Sequence, residues 1–152
     1  MINYRLEWIT NENEDVDFVY GALSNPEVQR LARGPEYTFV SPETVKAEME
    51  YIPGAWWIIW IDRTQVGWVR LMPLSVFGAS LAIVIPDLKY RHQGIGFEIC
   101  WNVIYEVAFP LFREIYWTTW LYNHASLRLA NALGFEPYMV ANEKIVLIKR
   151  KK

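Results

Sequence analysis

One short segment of the chain has the composition of an anion-binding loop. Its residues are Arg91, His92, Gln93, Gly94, Ile95 and Gly96. The segment lies between an apolar run that ends at Pro86 and an apolar helical run, so unpaired backbone amides should meet at the positive end of a helix dipole. Glycines let a phosphate approach those amides, and the arginine adds a charge-assisted contact. The pattern predicts a phosphate site, although a strand-to-helix turn without a ligand explains the same residues.

Two common nucleotide-binding motifs do not fit this loop. It lacks the Gly-Lys-Ser/Thr ending of a P-loop, and its two glycines do not complete the pattern Gly-x-Gly-x-x-Gly. Neither nucleotide-binding motif is therefore supported by this loop.

The elements that must position the loop can be read from hydrophobic periodicity, caps and turn residues. The predicted strands cover residues 2–9, 55–61, 66–72, 79–85, 112–120, 135–140 and 144–148. Five helices are predicted. The first covers residues 16–23, the second and third start at Pro26 and Pro42, the fourth covers residues 94–109, and the fifth runs from Asn123 to Gly134. The helix over 94–109 has one narrow polar stripe and is predicted to be mostly buried. This order predicts a mixed α/β sheet, with the unit from Ala79 to Phe109 at its centre.

Length and composition narrow the class of protein. With 152 residues, 53% apolar and 21% charged, the chain predicts a single domain over residues 1–152. The net charge of −2 argues against a nucleic-acid partner, and no apolar run approaches the roughly 18 residues of a membrane span. A single cysteine, Cys100, favours a cytoplasmic protein. No cluster of His, Cys and carboxylate residues has metal-ligand spacing. We expect the protein to be a monomer or a homodimer.

Two motifs in this order resemble those of the GNAT superfamily of acyl-CoA-dependent N-acyltransferases. Its coenzyme loop, Arg/Gln-x-x-Gly-x-Gly/Ala, is matched by Arg91, Gly94 and Gly96. Its second motif, Asn-x-x-Ser/Ala before a helix that ends in Gly-Phe, is matched by Asn123, Ser126, Leu129, Gly134 and Phe135. The amino-terminal half, through residues 23–28 and 56–67, is most similar to the RimJ/RimL-type branch, which acetylates protein N-termini and other amines.

The resemblance implies both a fold and a reaction. The fold is a single α/β (α+β) domain, with a mixed sheet of six or seven strands and four to five helices, splayed between strands 4 and 5. A primary amine, on a protein N-terminus or a small molecule, would attack the thioester of acetyl-CoA directly in a ternary complex, without a metal. A backbone N–H of Val84 or Ile85 would polarise the carbonyl, and Asn123 and Ser126 would join the loop in binding the coenzyme. The segments 33–42 and 138–143 would wall the acceptor.

The chain departs from the family pattern where protons must move. Ala130 follows Leu129, where many relatives have a tyrosine acid, and residues 81–85 contain no carboxylate base. Candidates elsewhere are His124, Tyr122 and Tyr138, although residues in such positions are more often surface or packing residues. A catalytically silent acyl-CoA-binding or regulatory domain therefore remains the alternative, and an interaction domain using exposed tryptophans is a third hypothesis.

Overall fold

The structure, a computed structural model, describes residues 2–36, 38–51 and 54–152. Its strands are β1 (Arg5–Trp8), β2 (Ala55–Ile61), β3 (Thr64–Pro73), β4 (Gly78–Val84), β5 (Glu114–Trp120), β6 (Glu136–Ala141) and β7 (Lys144–Arg150). Its helices are α1 (Asn13–Leu23), α2 (Pro26–Arg33), α3 (Pro42–Tyr51), α4 (Ile95–Asn102) and α5 (His124–Ala132). Helix α4 continues as a π-helical segment, Val103–Ala108, and a last turn, Phe109–Leu111. The predicted order is confirmed, with a first strand that starts later than expected.

The strands form one mixed sheet in the order β1-β2-β3-β4-β5-β7-β6. Every neighbouring pair is antiparallel except β4 and β5, which are parallel. Their pairing runs only from Gly78 opposite Glu114 to Ser80 opposite Tyr116, although both strands continue for four more residues. The sheet therefore opens at the carboxyl ends of its two central strands, which confirms the predicted fold.

Apolar side chains cover both faces of the sheet. Strand β2 shows why, since Trp56, Trp57, Ile58 and Ile59 are all buried, and successive side chains of a strand point to opposite faces. Ile59 belongs to the core under α4 and α5, whereas Ile58 belongs to the core under α1 and α3. Full burial of one such side chain stabilises the fold by about 1.5–3 kcal/mol. The strand is thus the shared wall of two cores.

The helix that follows the loop is less buried than its sequence predicts. Phe97, Trp101 and Tyr105 are 38%, 43% and 43% exposed and pack in a row along the outer face, with ring centroids 5.7 and 4.5 Å apart. Spacing of four residues places them on one face of the helix. The prediction of a mostly buried helix is wrong, because this aromatic row faces solvent in addition to the polar stripe.

Candidate functional site

The loop from Arg91 to Gly96 lies at the carboxyl end of β4 and leads directly into α4. Gly94 is the residue before the helix and has φ 77°, a left-handed conformation that glycine adopts without strain. The preceding residues form a short 3₁₀ turn, Leu88–Tyr90, whose first amides are capped by the Asp87 carboxylate at 3.0 Å from the nitrogen of Lys89. The connection between β4 and the loop is thus a compact turn.

A cavity of about 350 Å³ occupies the opening between β4 and β5. Of the predicted coenzyme-binding residues, those that line it are Val84, Ile85, Arg91, His92, Gly94, Ile95, Gly96, Asn123 and Ser126. Gln93 does not line it, because this side chain is exposed and its amide donates to the backbone carbonyl of Lys89. Helix α2 closes one side with Val28 and Leu31. We call this space the cleft.

The charged residues that line the cleft are cationic. Arg91 and Arg128 contribute guanidinium groups, and no carboxylate lines the cleft among the residues described. Arg91 also holds the loop in place, because its Nε donates to the carbonyl of Ile85 at 2.8 Å and its Nη2 to that of Pro86 at 3.4 Å. A guanidinium has five N–H donors, so three remain for a ligand. The cleft is suited to an anion.

Helix α5 begins at the cleft with a cap that also positions a hydroxyl. The side-chain oxygen of Asn123 accepts from the Ser126 amide at 3.2 Å, while its Nδ2 donates to the carbonyl of Leu31 at 3.3 Å. The indole Nε1 of Trp117 donates to Ser126 Oγ at 2.9 Å. Because the Ser126 oxygen accepts this bond, its own proton is left to donate toward a ligand in the cleft.

The three residues predicted as candidates for proton transfer are not brought together. The Tyr122 hydroxyl donates to the carbonyl of Arg30 at 2.6 Å, and burial raises its pKa. His124 is exposed at the first position of α5, outside the lining of the cleft. Tyr138 lies on the edge strand β6 and packs on Tyr116, 5.7 Å between ring centroids, at the level where β4 and β5 are still paired.

The segment predicted to wall the acceptor is held by a buried glutamine. Gln29 is 1% exposed, and its Nε2 donates to the carbonyls of Leu23 at 3.0 Å and Thr38 at 2.9 Å. Its Oε1 accepts from the Thr38 amide. The glutamine thus bonds to Thr38 as a neighbouring strand would, and it fixes the connection between α2 and α3. Tyr37, within this connection, lies outside the described residues.

Several residues that line the cleft were not predicted as binding residues from the sequence. Arg128, Phe97 and Leu31 line it, and Trp117 lines it while positioning Ser126. Arg128 follows Asn123 by five residues on α5, but an exposed arginine on a short helix carries no signal of its own.

Among residues 2–36, 38–51 and 54–152, no group of three His, Cys, Asp or Glu side chains is arranged to hold a metal, and no helix is long and apolar enough to cross a membrane.

Comparison with known proteins identifies the domain. Residues 5–136 match the family model for the acetyltransferase (GNAT) domain. No curated protein gives a significant match to the sequence. The solved structures that resemble the chain include a domain from Methanocaldococcus jannaschii, with TM-score 0.86 and 17% identity over 99% of this chain and 100% of that one.

Two further structures extend the likeness to named enzymes. Spermidine N-acetyltransferase from Vibrio cholerae, in complex with CoA and spermine, gives TM-score 0.74 and 14% identity over 95% of this chain and 92% of that one. RimL, the ribosomal L7/L12 alpha-N-protein acetyltransferase, in complex with coenzyme A, gives TM-score 0.79 and 12% identity over 97% and 93%. At such identities the likeness shows a shared fold.

Proposed function

The chain belongs to the GNAT family of acetyltransferases, and from that premise we propose that it moves an acetyl group from acetyl-CoA to a primary amine by direct attack in a ternary complex. One observation carries this proposal. The sheet opens where β4 and β5 stop pairing after Ser80 and Tyr116, and the glycine loop, with its helix N-terminus, stands at the end of that opening. The related structures that contain CoA agree with it.

The chemistry of the lining fits the coenzyme. Amides near Gly94 and Gly96 would bind the pyrophosphate at the start of α4, with Arg91 and Arg128 as countercharges. Residues 81–84 of β4 have no partner in β5, so their backbone groups are available to the pantetheine arm. The amide of Val84 or Ile85 would then donate to the thioester carbonyl, where negative charge develops as the amine attacks.

Proton transfer is assigned to groups at the start of α5. We propose that His124, which is exposed and makes no side-chain hydrogen bond to the described residues, accepts the proton of the attacking amine, directly or through water. Ser126 would donate to the coenzyme, with the departing sulfur as its proposed acceptor. Ala130 is fully buried, so the position where many relatives have a tyrosine acid offers neither an acid nor access.

A thiol-release assay with acetyl-CoA tests this reaction against a panel of peptide N-termini, amino acids, polyamines and aminoglycosides. We expect turnover on at least one amine, and we expect His124→Ala to lower kcat by about 10-fold or more while CoA affinity changes by less than about 3-fold. The chain's own thiol will not interfere, because Cys100 is completely buried and burial raises its pKa. An unaltered rate in the variant would remove His124 as the base.

The alternative is a silent acyl-CoA-binding or regulatory domain, and one observation favours it. No carboxylate lines the part of the cleft that the structure describes, so the base found in many enzymes of this type is missing at its usual strand. Tight CoA binding without release of thiol above background on any panel member would establish this reading.

Arg128→Gln is expected to weaken CoA binding by about 5- to 10-fold, because it removes one of the two guanidinium groups beside the phosphates. The loss should shrink as salt is raised from 0.05 to about 0.5 M, since charge interactions at an exposed site are screened. Calorimetric titration of CoA measures both effects. Arg63→Gln removes an equally exposed arginine from the distant β2–β3 turn and should leave the affinity unchanged. Equal losses in the two variants would contradict a local role for Arg128.

A further inference from the structure

An arginine lies beside the cleft, on a part of the sheet face that the helices do not fully cover. We call this part of the sheet, formed by Arg70, Ala82 and Thr118, the floor. Arg70 of β3 is paired in register with Trp56 of β2 and Ala82 of β4, and directly opposed residues point to the same face. That face is the one covered by α1 and α3, as shown by the burial of Trp56 against them. The helices leave Ala82 exposed. Across the opening, Thr118 of β5 is exposed as well, two residues beyond the last paired position.

Arg70 has no hydrogen-bonded or ion-paired partner among the described residues. It is half-buried. Its guanidinium carbon lies 5.5 Å from the ring centre of Trp56. Burial lowers the pKa of Arg70, while Glu48 raises it, and a guanidinium stays protonated under both influences. A partly buried cation without a counterion is costly, and an anion from outside would relieve that cost.

A second unsatisfied donor adjoins the first. The indole Nε1 of Trp56 is buried and has no hydrogen-bond partner among the described residues, and the residue is only 8% exposed. Buried donors in folded proteins are nearly always paired, so an orphan donor next to an orphan guanidinium is unusual. Both groups are hydrogen-bond donors, and an oxyanion is an acceptor suited to either of them. The two observations are independent, since one is a matter of charge and the other of hydrogen bonding.

The other charged groups around this floor do not neutralise Arg70. Glu48 is engaged by Arg33 at 2.5 Å. Lys144, paired with Trp120 at the far side of the opening, places its ammonium 4.5 Å from that ring and adds a further cation. The flanking segments carry exposed carboxylates at Glu36, Glu43, Glu136 and Glu143, none of which forms an ion pair within the described chain. The floor itself therefore has an excess of positive charge.

We infer that the amine acetylated by this protein also carries a carboxylate or another oxyanion, which Arg70 binds. The inference rests on the proposed function, since it names the substrate class of the same site. Arg70 and Val84 have Cα atoms about 8 Å apart, because strands rise about 3.3 Å per residue and lie about 4.8 Å apart. An amine at the thioester and an anion at the guanidinium thus fit within one small molecule or one terminal residue of a peptide.

Purely cationic acceptors are disfavoured by the same geometry. A polyamine or an aminoglycoside would bring ammonium groups beside Arg70 and Lys144, where like charges repel. Spermine is present in the complex of the Vibrio cholerae relative, so the fold itself does not dictate this choice. The side chains of the floor would make the distinction.

The test compares pairs of amines in which one member has an anionic group that the other lacks. We would measure thiol release from acetyl-CoA with β-alanine and β-alaninamide, phenylalanine and phenylalaninamide, phosphoethanolamine and ethanolamine, and the dipeptides Asp-Ala and Asn-Ala, with spermidine as the cationic reference. The wild type should prefer the anionic member of at least one pair by about 10-fold or more in kcat/KM. Arg70→Gln should bring that ratio near one, mainly through KM, Arg70→Lys should keep part of it, and Arg63→Gln should keep all of it.

Calorimetry keeps this inference separate from the proposed reaction. The same acids are titrated into the CoA-bound protein, and unchanged CoA affinity shows that Arg70→Gln is folded. If no amine is acetylated but an acid binds the wild type and not Arg70→Gln, the anion site at Arg70 stands as a ligand site and the proposed transfer fails. Equal use of acids and amides, preference for spermidine, an unchanged ratio in Arg70→Gln, or no binding of any acid would each overturn the inference. The separate pairs distinguish a carboxylate from a phosphate, and a small molecule from a peptide.

Discussion

Gly96→Asp is expected to weaken CoA binding by about 100-fold or more while leaving the chain folded. The residue lies in the first turn of α4 and lines the cleft beside the amides proposed to bind the pyrophosphate. An aspartate there would use those amides for its own carboxylate and would repel the phosphates at close range. Titration calorimetry with CoA gives the affinity, and a thermal melt reports whether the fold is kept.

The fold should survive because the site has room for a side chain. A Cβ added at Gly96 would meet Leu129 Cδ2 at 3.5 Å and Ile85 Cδ1 at 4.0 Å, which are ordinary van der Waals distances. An acidic residue in the first turn of a helix is also favourable to the helix itself. Gly94 is different, since its φ of 77° makes any side chain strained by about 1–2 kcal/mol.

Gly96→Asn is the matched control, because it has nearly the size of aspartate without the charge. We expect it to lose clearly less affinity than Gly96→Asp, and the difference between the two variants measures the electrostatic part. Wild-type affinity in Gly96→Asp would show that the pyrophosphate lies elsewhere. Equal losses in both variants would mean that the space, and not the charge, is what the coenzyme needs.

The sequence predicted best those elements whose limits are set by neighbouring residues. Helix α2 begins at Pro26 as predicted, because the Asn25 side chain accepts from the amide of Glu27 at 2.9 Å and proline suits the first helical position. Strand β2 has the predicted bounds, Ala55–Ile61, since a turn follows it directly. Strand β1 is shorter than its alternation suggested, because it pairs only along Arg5–Trp8 with β2, and that limit is not local.

The same division holds for the site. The loop and the α5 cap could be read because their residues are close in sequence and follow known motifs. The contacts of Tyr122 and of the Asn123 side-chain nitrogen with α2 could not be predicted, because each of these hydrogen bonds joins residues that are 92 positions apart in the chain. Arg70 and Trp56 are likewise unremarkable in sequence. Only the register of β2 and β3 makes them neighbours, and only the absence of described partners for both marks them.

These long-range hydrogen bonds also hold the α2 wall of the cleft in place against the start of α5. Helix α2 supplies one wall, and its last carbonyls accept from Tyr122 and Asn123 at the start of α5. Carbonyls at the end of a helix need such donors, because they have no partner within the helix. Tyr122, a candidate for proton transfer from the sequence, is thus a residue that joins α2 to the start of α5.

Ala82→Trp is expected to lower kcat/KM for the amine by about 100-fold or more, with CoA affinity changed by less than about 3-fold. Ala82 is exposed between Arg70 and the opening, two residues before Val84, so its side chain faces the space through which the amine would approach in the proposed reaction. An indole there would cover that floor and hold the amine away from the thioester, and small displacements of a reacting group are costly in rate. Because the position is exposed, the larger side chain has solvent to occupy and should not disrupt either core.

Steady-state kinetics at saturating acetyl-CoA, together with CoA titration, separates the two substrates of this variant. Ala82→Ser adds one hydroxyl at the same position and should cost less than about 3-fold, so a large loss in Ala82→Trp but not in Ala82→Ser is a loss of space. Normal turnover in Ala82→Trp would mean that the amine does not cross this face, and the role of Arg70 would fall with it. If CoA affinity and turnover fell by the same factor, the coenzyme would lie over Ala82. The face of the sheet covered by α1 and α3 would then bind the coenzyme and not the amine.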